Sequence, residues 1–259
     1  ASCWNTIVPD TEERQYIAAS DPKGVKIGSG GATAWLLSKS RMQAGSTKTA
    51  GKNKNISIKA PGPEKRIIIH AGGQSRRLPS YAVWGKLLTP IPVFRWAIGQ
   101  SVTQTLLDIQ SRLYEKLMAL TSDDQNTLIA SGDILVRTDE LPKTLPDADV
   151  VCFGMWTEPE TASHHGVFVV KKESPGILDC MLQKPSPAEL EKIGQNSFFM
   201  MDVGIWILSD KALGVLEKKC IPKTGGTGTG ASCSSGTNLP PRFYDLYSDF
   251  GPAMGTHPT

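Results

Sequence analysis

The sequence lacks the features that mark several large classes of protein. It has no run of roughly 18 consecutive apolar residues, which a membrane-spanning helix would need. Residues 1–14 contain neither the basic region nor the apolar core of a secretory signal. The formal net charge is only +3, and no basic run dominates, so the composition does not indicate nucleic-acid binding. We therefore expect neither a membrane nor a nucleic-acid partner.

Cysteine is also scarce. The five cysteines are odd in number, widely spread and contain no CxxC pair: Cys3, Cys152, Cys180, Cys220 and Cys233. This pattern argues against a zinc site and against a set of structural disulfides, and it indicates a reducing cytoplasm. A hydrophobic content of 39% over 259 residues is that of an ordinary globular protein with one large domain or two small ones.

What the chain does contain is an alternation of strand-like and helix-like segments. It predicts an α/β fold with a mixed, mainly parallel central sheet flanked by helices. The predicted strands are residues 4–8, 67–69, 127–131, 149–155, 166–170, 178–185 and 198–208. The predicted helices include residues 32–40, 93–109, 111–120 and 187–193. Residues 223–241 are of low complexity and predict a flexible linker between a main domain, residues 1–222, and residues 242–259.

The most informative stretch is residues 66–92. Three isoleucines, residues 67–69, predict a strand buried on both faces. Gly72 and Gly73 then allow a tight turn, and Gln74 and Ser75 lead to two arginines, with Lys86 further on. A strand, a bare backbone and cations are the parts that hold a polyphosphate. The alternative is a glycine turn with solvated arginines.

A second glycine-rich segment, residues 28–33, precedes a helix. Gly28, Ser29, Gly30 and Gly31 would gather backbone N–H groups at the helix N-terminus, where nucleotides and anions bind. The segment matches neither GxGxxG nor GxxxxGK[ST], and a flexible loop is the alternative. Asp133 directly follows the strand at residues 127–131, where α/β sheets bind ligands, although it could equally be a solvated loop residue.

These segments resemble the sugar-1-phosphate nucleotidyltransferases, whose signature is GGxGxRLxP followed by a lysine in KxxxP. The chain carries GGQSRRL and then KLLTP, with Ser75 in place of a glycine, Ser80 in place of the proline and one residue fewer before the lysine. A narrower resemblance is to the fucose-1-phosphate guanylyltransferase family. It is carried by IGSGGAT, HAGGQSRRLP, GKLLTPIP, ASGDI, HHGVF, LQKP, MDVGIWILSD and YDLYSDFG, in that order.

The resemblance implies a Rossmann-like, GT-A-like catalytic domain. It also implies that GTP and fucose-1-phosphate react with Mg²⁺ to give GDP-fucose and pyrophosphate. The chain resembles the N-terminal part of a fused fucokinase and pyrophosphorylase of bacteria and plants. The same resemblance implies that residues 242–259 end the catalytic domain and start a truncated C-terminal region. Other sugars or bases, or a module that binds a sugar nucleotide without turnover, remain open. A dinucleotide oxidoreductase is set aside because GxGxxG is missing.

Site residues follow from the same resemblance. Gly72, Gly73, Gln74 and Ser75 would bind the nucleotide, Arg77 the β- and γ-phosphates, and Lys86 the α-phosphate, with Arg76 in support. Asp133 and Asp249 would hold the metal, with Asp245 as a substitute for Asp249. The expected sugar and sugar-phosphate contacts are His165, Gly166, Lys184, Asp202 and Gly204. Gln183 stands where the superfamily has glutamate, and Asp202 where it has asparagine.

Overall fold

A computed structural model describes residues 17–22, 25–47, 65–71, 85–91, 103–220 and 241–259, with side chains omitted for residues 42–47. The chain divides into two compact units. Unit 1 comprises Ala1–Lys59 and Gly214–Gly251, and unit 2 comprises Ala60–Leu213 and Pro252–Thr259. None of the helices in the described part of the chain is both long and apolar enough to cross a membrane.

Unit 2 contains a sheet whose six described strands are close to the predicted ones. They are β1 (Arg66–His70), β2 (Thr127–Ser131), β3 (Val150–Met155), β4 (Gly166–Lys171), β5 (Leu178–Gln183) and β6 (Ser197–Leu208). Short β-branched and aromatic runs between turn residues are typical of strands. That pattern describes five of the six; β5, LDCMLQ, contains neither kind of residue although it was also predicted. The strand predicted at residues 4–8 lies outside the described residues.

The α/β class with a mixed sheet is confirmed, but the expectation of a mainly parallel sheet is wrong for the described strands. β1 pairs with β2 in parallel, whereas β2, β3 and β4 all pair with β6 in antiparallel fashion, as does β4 with β5. The prediction treated alternating helices and strands as parallel crossovers. Here β4 and β5 form a hairpin, and β6 runs against each strand it touches.

β6 is the central strand, and its two halves have different partners. Met201 pairs with both Met155 and Val167, and Trp206 pairs with both Cys152 and Ile129. Since a strand has two sides, β3 lies along one side of β6, while β4 and β2 follow one another along the other. The stretch from Asp202 to Gly204 lies between the residues paired with β4 and those paired with β2. On this side of β6 no described strand pairs with residues 202–204, and we refer to this gap between the end of β2 and the start of β4 as the crevice.

Five helices are described: α1 (Gly28–Thr47), α2 (Leu106–Ala119), α3 (Pro159–Ala162), α4 (Pro187–Asn196) and α5 (Asp210–Cys220). The two helices predicted over residues 93–120 are, in the described part, the single helix α2; residues 92–102 lie outside that part. α2 begins where it does because Thr105 and Asp108 form a capping box, which satisfies two N–H groups of its first turn.

The core of unit 2 forms between α2 and the sheet. Tyr114 and Leu117 of α2 pack with Leu128 of β2 and Ile207 of β6, all at most 2% exposed. Ile67 of β1 is 38% exposed, so the prediction that β1 is buried on both faces is wrong. Among the described strands β1 pairs only with β2, which leaves one of its edges without a sheet neighbour. Among the described residues, Cys152, Cys180 and Cys220 are free thiols.

Candidate active site

The site in unit 2 begins where β1 and β2 end side by side. Their parallel register pairs His70 with Ser131, and the N–H of Gly132 donates to the His70 carbonyl at 3.0 Å. A Cβ at residue 132 would lie 2.6 Å from that carbonyl oxygen, so only glycine fits this close approach. The consequence is that Asp133 emerges next to the end of β1, beside His70 and Ala71.

Asp133 carries the central charge of this part of the crevice. The Lys86 Nζ lies 2.7 Å from its Oδ2, and the Ser131 hydroxyl donates to its Oδ1 at 2.7 Å. Partial burial alone would raise the pKa of Asp133, but the hydrogen bonds from Lys86 and Ser131 outweigh it and hold the pKa below the ordinary value. Both charged side chains are about half exposed, at 47% for Lys86 and 49% for Asp133. An ionised carboxylate and an ammonium group are therefore fixed together yet accessible to a ligand.

The backbone around Lys86 explains how the lysine is presented. Gly85 has a φ of 72°, a left-handed conformation that favours glycine, and Lys86–Leu88 form one 3-10 turn. Leu87 is buried, and the N–H of Leu106 at the start of α2 donates to the Thr89 carbonyl. The turn is thus anchored on both sides, while the Lys86 side chain points to Asp133.

A second group of predicted residues gathers where β4 starts and β5 ends. Gly166 pairs with Gln183, and the N–H of Lys184 donates to the His165 carbonyl at 3.0 Å. Lys184 has a φ of 52°, a left-handed conformation that is uncommon outside glycine and often marks a functional site. The hairpin therefore brings His165, Gly166 and Lys184 together.

Gly166 connects this hairpin to the middle of β6. A Cβ at residue 166 would lie 2.6 Å from the Met181 Cε and 3.5 Å from the Asp202 Cβ. Asp202 is 7% exposed, and its carboxylate accepts the N–H of Gly204 at 2.7 Å and the Trp206 Nε1–H at 3.1 Å. Burial raises the pKa of Asp202 to about 6, although both hydrogen bonds oppose that shift.

The structure thus brings two sets of predicted residues to one junction of the sheet. Lys86 and Asp133 lie at the end of β2, and the others lie at the start of β4 and in β6. Their contacts with a ligand stay predictions. The remaining predicted residues of the signature lie outside the described residues: Gly72, Gly73, Gln74, Ser75, Arg76 and Arg77.

In unit 1, the prediction that Gly28 to Gly31 form a loop is wrong, because these residues are the first turn of α1. The N–H of Gly31 donates to the Tyr244 carbonyl at 3.0 Å. The Ser29 hydroxyl donates to Asp245 at 2.9 Å and accepts the N–H of Leu246 at 2.8 Å. A Cβ at Gly28 would lie 2.5 Å from the Tyr244 carbonyl oxygen, so the glycines allow close packing. The Gly31 N–H and the Ser29 hydroxyl, which were expected to bind nucleotide, thus already have partners inside this unit. Their role in nucleotide binding stays a prediction.

Asp245 and Asp249 belong to the same segment of unit 1. Asp245 caps the π-helical turn Leu246–Phe250 by accepting the N–H groups of Tyr247 and Ser248. Partial burial raises the pKa of Asp245, but these bonds and that from Ser29 hold it below the ordinary value. Asp249 accepts the N–H of Asp245 at 2.7 Å. Asp245 therefore serves as a cap, and the metal role of Asp249 stays a prediction.

Within the described residues, no group of three or more His, Cys, Asp or Glu side chains could hold a metal. A magnesium ion commonly takes only one or two carboxylates and completes its shell with water and substrate phosphates. The half-exposed carboxylate of Asp133 fits that kind of site, since it is a hard oxygen donor beside a cation that can hold phosphate.

Comparison with known proteins agrees with the resemblance carried by the motifs. Residues 64–258 match the family described as fucose pyrophosphorylase domain. The chain belongs to this family. It is also 48% identical, over 247 residues, to a Bacteroides fragilis protein named L-fucokinase/L-fucose-1-P guanylyltransferase. That match covers 94% of this chain and 24% of the relative, so the chain spans about a quarter of the length of the curated relative it matches.

Three residues that support the site in this fucose pyrophosphorylase domain were absent from the predicted set. Ser131 holds the second oxygen of Asp133, Gly132 allows β1 and β2 to approach, and Gly85 turns the chain before Lys86. The two glycines could have been identified in the sequence, because each directly precedes a charged residue of the predicted site. Nothing in the sequence distinguished Ser131 from other polar residues at the end of a strand.

Proposed function

We propose that this domain transfers GMP from GTP to L-fucose-1-phosphate, giving GDP-L-fucose and pyrophosphate. Membership of the fucose pyrophosphorylase family and the name of the relative support the choice of substrates. The observation that carries the chemistry is the Lys86–Asp133 pair, fixed and half exposed where two parallel strands end. This edge of an α/β sheet is where ligands bind.

The reaction needs positioning and neutralisation of charge more than it needs a nucleophilic side chain. An oxygen of the sugar phosphate attacks the α-phosphorus of GTP, and the bond from that phosphorus to the pyrophosphate oxygen breaks on the opposite side. Lys86 would hold the α-phosphate as negative charge builds on its oxygens. Asp133, now its partner, keeps the ammonium group in place until phosphate arrives. Arg77 is the proposed partner of the leaving pyrophosphate.

Magnesium is the proposed cofactor, and Asp133 is the residue that would hold it together with phosphate oxygens. When bound, such an ion neutralises phosphate charge and aligns the reacting groups. Asp133 would then divide its oxygens between the metal and Lys86. The low pKa of Asp133 keeps the carboxylate ionised, as a metal ligand must be.

The sugar half of the crevice is proposed to be the β4–β5 hairpin. Lys184, on its left-handed backbone, would meet the phosphate of fucose-1-phosphate, and His165 and Gly166 would line the sugar pocket. The exposed side chains of His165 and Lys184 and the buried backbone of Gly166 suit these roles. We further propose that this domain is fused to a fucokinase, which the name and length of the relative support. We also propose a cytoplasmic location, which the few scattered cysteines support.

The test is to incubate the purified protein with GTP, Mg²⁺ and fucose-1-phosphate and to measure pyrophosphate and GDP-fucose. Product formation that depends on all three supports the proposal. Turnover of another sugar-1-phosphate or nucleotide in a substrate panel, but not of these, would show a different nucleotidyltransferase. Binding of GDP-fucose by calorimetry without turnover, in a longer chain as well, would show a binding module.

A further inference from the structure

Asp202 has contacts that a residue facing the sugar would not need. Its Oδ1 accepts the backbone N–H of Gly204 at 2.7 Å, and its two oxygens lie 3.1 and 3.2 Å from the Trp206 Nε1. All of these partners lie within the next four residues of the same strand. The carboxylate therefore ties one part of β6 to the next.

The tied segment is also the least regular part of β6. Gly204 has a φ of 74°, which a β-strand does not otherwise adopt, and the pairing of β3 with β6 shifts register between Cys152 and Gly154. Trp206 is 2% exposed and lies against the Phe168 ring of β4, with ring centroids 6.4 Å apart. The bend is thus fixed by one carboxylate at one end and by a packed indole at the other.

This bend lies between the two halves of the crevice. On the same side of β6, the residues paired with β4 extend up to Met201, and the residues paired with β2 begin at Ile205. β2 leads to Asp133, and the start of β4 leads to His165 and, through the hairpin, to Lys184. A change in the bend would move one set of residues relative to the other.

We infer that Asp202 is a positioning residue of this crevice and not a sugar contact, a role that rests on the proposed function. Its carboxylate holds the β6 bend and thereby aligns the metal and phosphate side, with Asp133, against the sugar-phosphate side, with Lys184. A Cβ at Gly166 would lie 3.5 Å from the Asp202 Cβ, an ordinary van der Waals distance, so the start of β4 packs directly against this part of β6.

The electrostatic surroundings agree with a carboxylate directed into the protein. The buried thiol of Cys152 on β3 is close enough for Asp202 to raise the pKa of that thiol further, after the effect of burial. The two donors that Asp202 meets are both neutral N–H groups of β6. A side chain 7% exposed and already bound to both donors is poorly placed to reach a sugar hydroxyl.

The kinetic test compares Asp202→Asn, which keeps one acceptor oxygen, with Asp202→Ala, which removes both. If Asp202 positions the crevice, Asp202→Ala lowers kcat roughly 10- to 100-fold. Its KM for fucose-1-phosphate changes less than about threefold, and Asp202→Asn restores most of kcat. The inference is overturned if both variants raise the KM for fucose-1-phosphate alike while kcat stays at the wild-type value.

A spectroscopic test needs no turnover. The Trp206 indole N–H resonance, assigned by its loss in Trp206→Phe, should shift with pH as the Asp202 carboxyl titrates. It should lose that pH dependence in Asp202→Asn. If the Trp206 indole N–H chemical shift changes neither with pH nor in Asp202→Asn, the inference is overturned, even if Asp202→Ala does not fold. If the wild-type protein makes no GDP-fucose, the proposed function fails, and this measurement decides the role of Asp202 by itself.

Discussion

The two units of this protein use glycine for opposite purposes. In unit 1, Gly28 and Gly31 let α1 approach the backbone at Tyr244, and Ser29 binds Asp245. In unit 2, Gly132 lets β1 and β2 approach and leaves Asp133 half exposed with Lys86. The difference teaches that a glycine-rich segment is a binding site only where its neighbours leave polar groups accessible.

Two aspartates sharpen this comparison. Asp202 in unit 2 is deeply buried and meets two neutral donors, and burial raises its pKa to about 6. Asp245 in unit 1 is partly buried but meets Ser29, Tyr247 and Ser248, and these bonds outweigh burial and lower its pKa. The balance between the depth of burial and the number of donors for each carboxylate decides which protonation state the fold favours.

The largest effect should come from the accessible carboxylate of unit 2. Asp133→Asn removes the charge that holds Lys86 and that would bind magnesium, so we expect kcat to fall about 10³-fold. Added Mg²⁺ should not rescue it. Steady-state assays of GDP-fucose formation check this, with Asp139→Asn, an exposed aspartate of the same loop, as the control expected to match wild type. Near-full activity in Asp133→Asn would remove Asp133 from the site.

Lys86→Ala should have the next largest effect, a loss of about 10²-fold in kcat, because one cation at the reacting phosphate is missing. The matched control is Lys143→Ala, since Lys143 is another exposed lysine of unit 2. The same assay measures both variants. Equal rates for the two variants would show that the Lys86–Asp133 pair is an ordinary surface ion pair, whose contribution is small.

The two aspartates should give the protein opposite responses to pH. Because the folded-state pKa of Asp202 is raised, the stability that this residue contributes is lost as pH rises from about 4 to about 6. Relative to Asp202→Asn, the free energy of unfolding of wild type should therefore fall by on the order of 2–3 kcal/mol between pH 4 and pH 8. Because the pKa of Asp245 is lowered, its stabilisation is present above about pH 4 and lost as pH falls further.

Denaturant unfolding checks these signs, with wild type and Asp202→Asn compared at pH 4 and pH 8, and wild type and Asp245→Asn compared at about pH 2.5 and pH 8. At pH 8, Asp245→Asn should cost about 1 kcal/mol, as the loss of a cap does. The comparison between the two carboxylates fails if both substitutions change stability in the same direction as pH rises.

The smallest effects concern the glycines of unit 1. Gly28→Ala should destabilise the protein by about 1–3 kcal/mol, because residue 28 has a φ of 74° and a Cβ would meet the Tyr244 carbonyl. Gly214→Ala, in α5 with open space around it, should stabilise by about 0.5–1 kcal/mol. Urea unfolding measures both. A raised KM for GTP in Gly28→Ala with unchanged stability would return this segment to nucleotide binding.

Much of the fold was predictable from local patterns. All six described strands coincide with predicted segments, five of them with β-branched runs bounded by turn residues, and the capping box at Thr105 fits the start of α2. The pairing of strands was not predictable, because the direction in which β6 runs against its neighbours depends on contacts between residues far apart in the chain. The same limit explains why Gly28 to Gly31 were mistaken for a loop: the segment at Tyr244 that they pack against lies over 200 residues away in sequence.

The sequence by itself determined the family, the strand and helix segments, and the chemistry of Lys86 and Asp133, since these depend on residue types in a fixed order. Only the tertiary structure decided which polar groups remain accessible. Hydrogen bonds between distant segments use Ser29 and Asp245 inside unit 1, whereas Asp202 is buried in the sheet and bonded to donors of its own strand. The same kind of packing leaves Lys86 and Asp133 paired and half exposed, because the close approach at Gly132 places them at the open end of two strands.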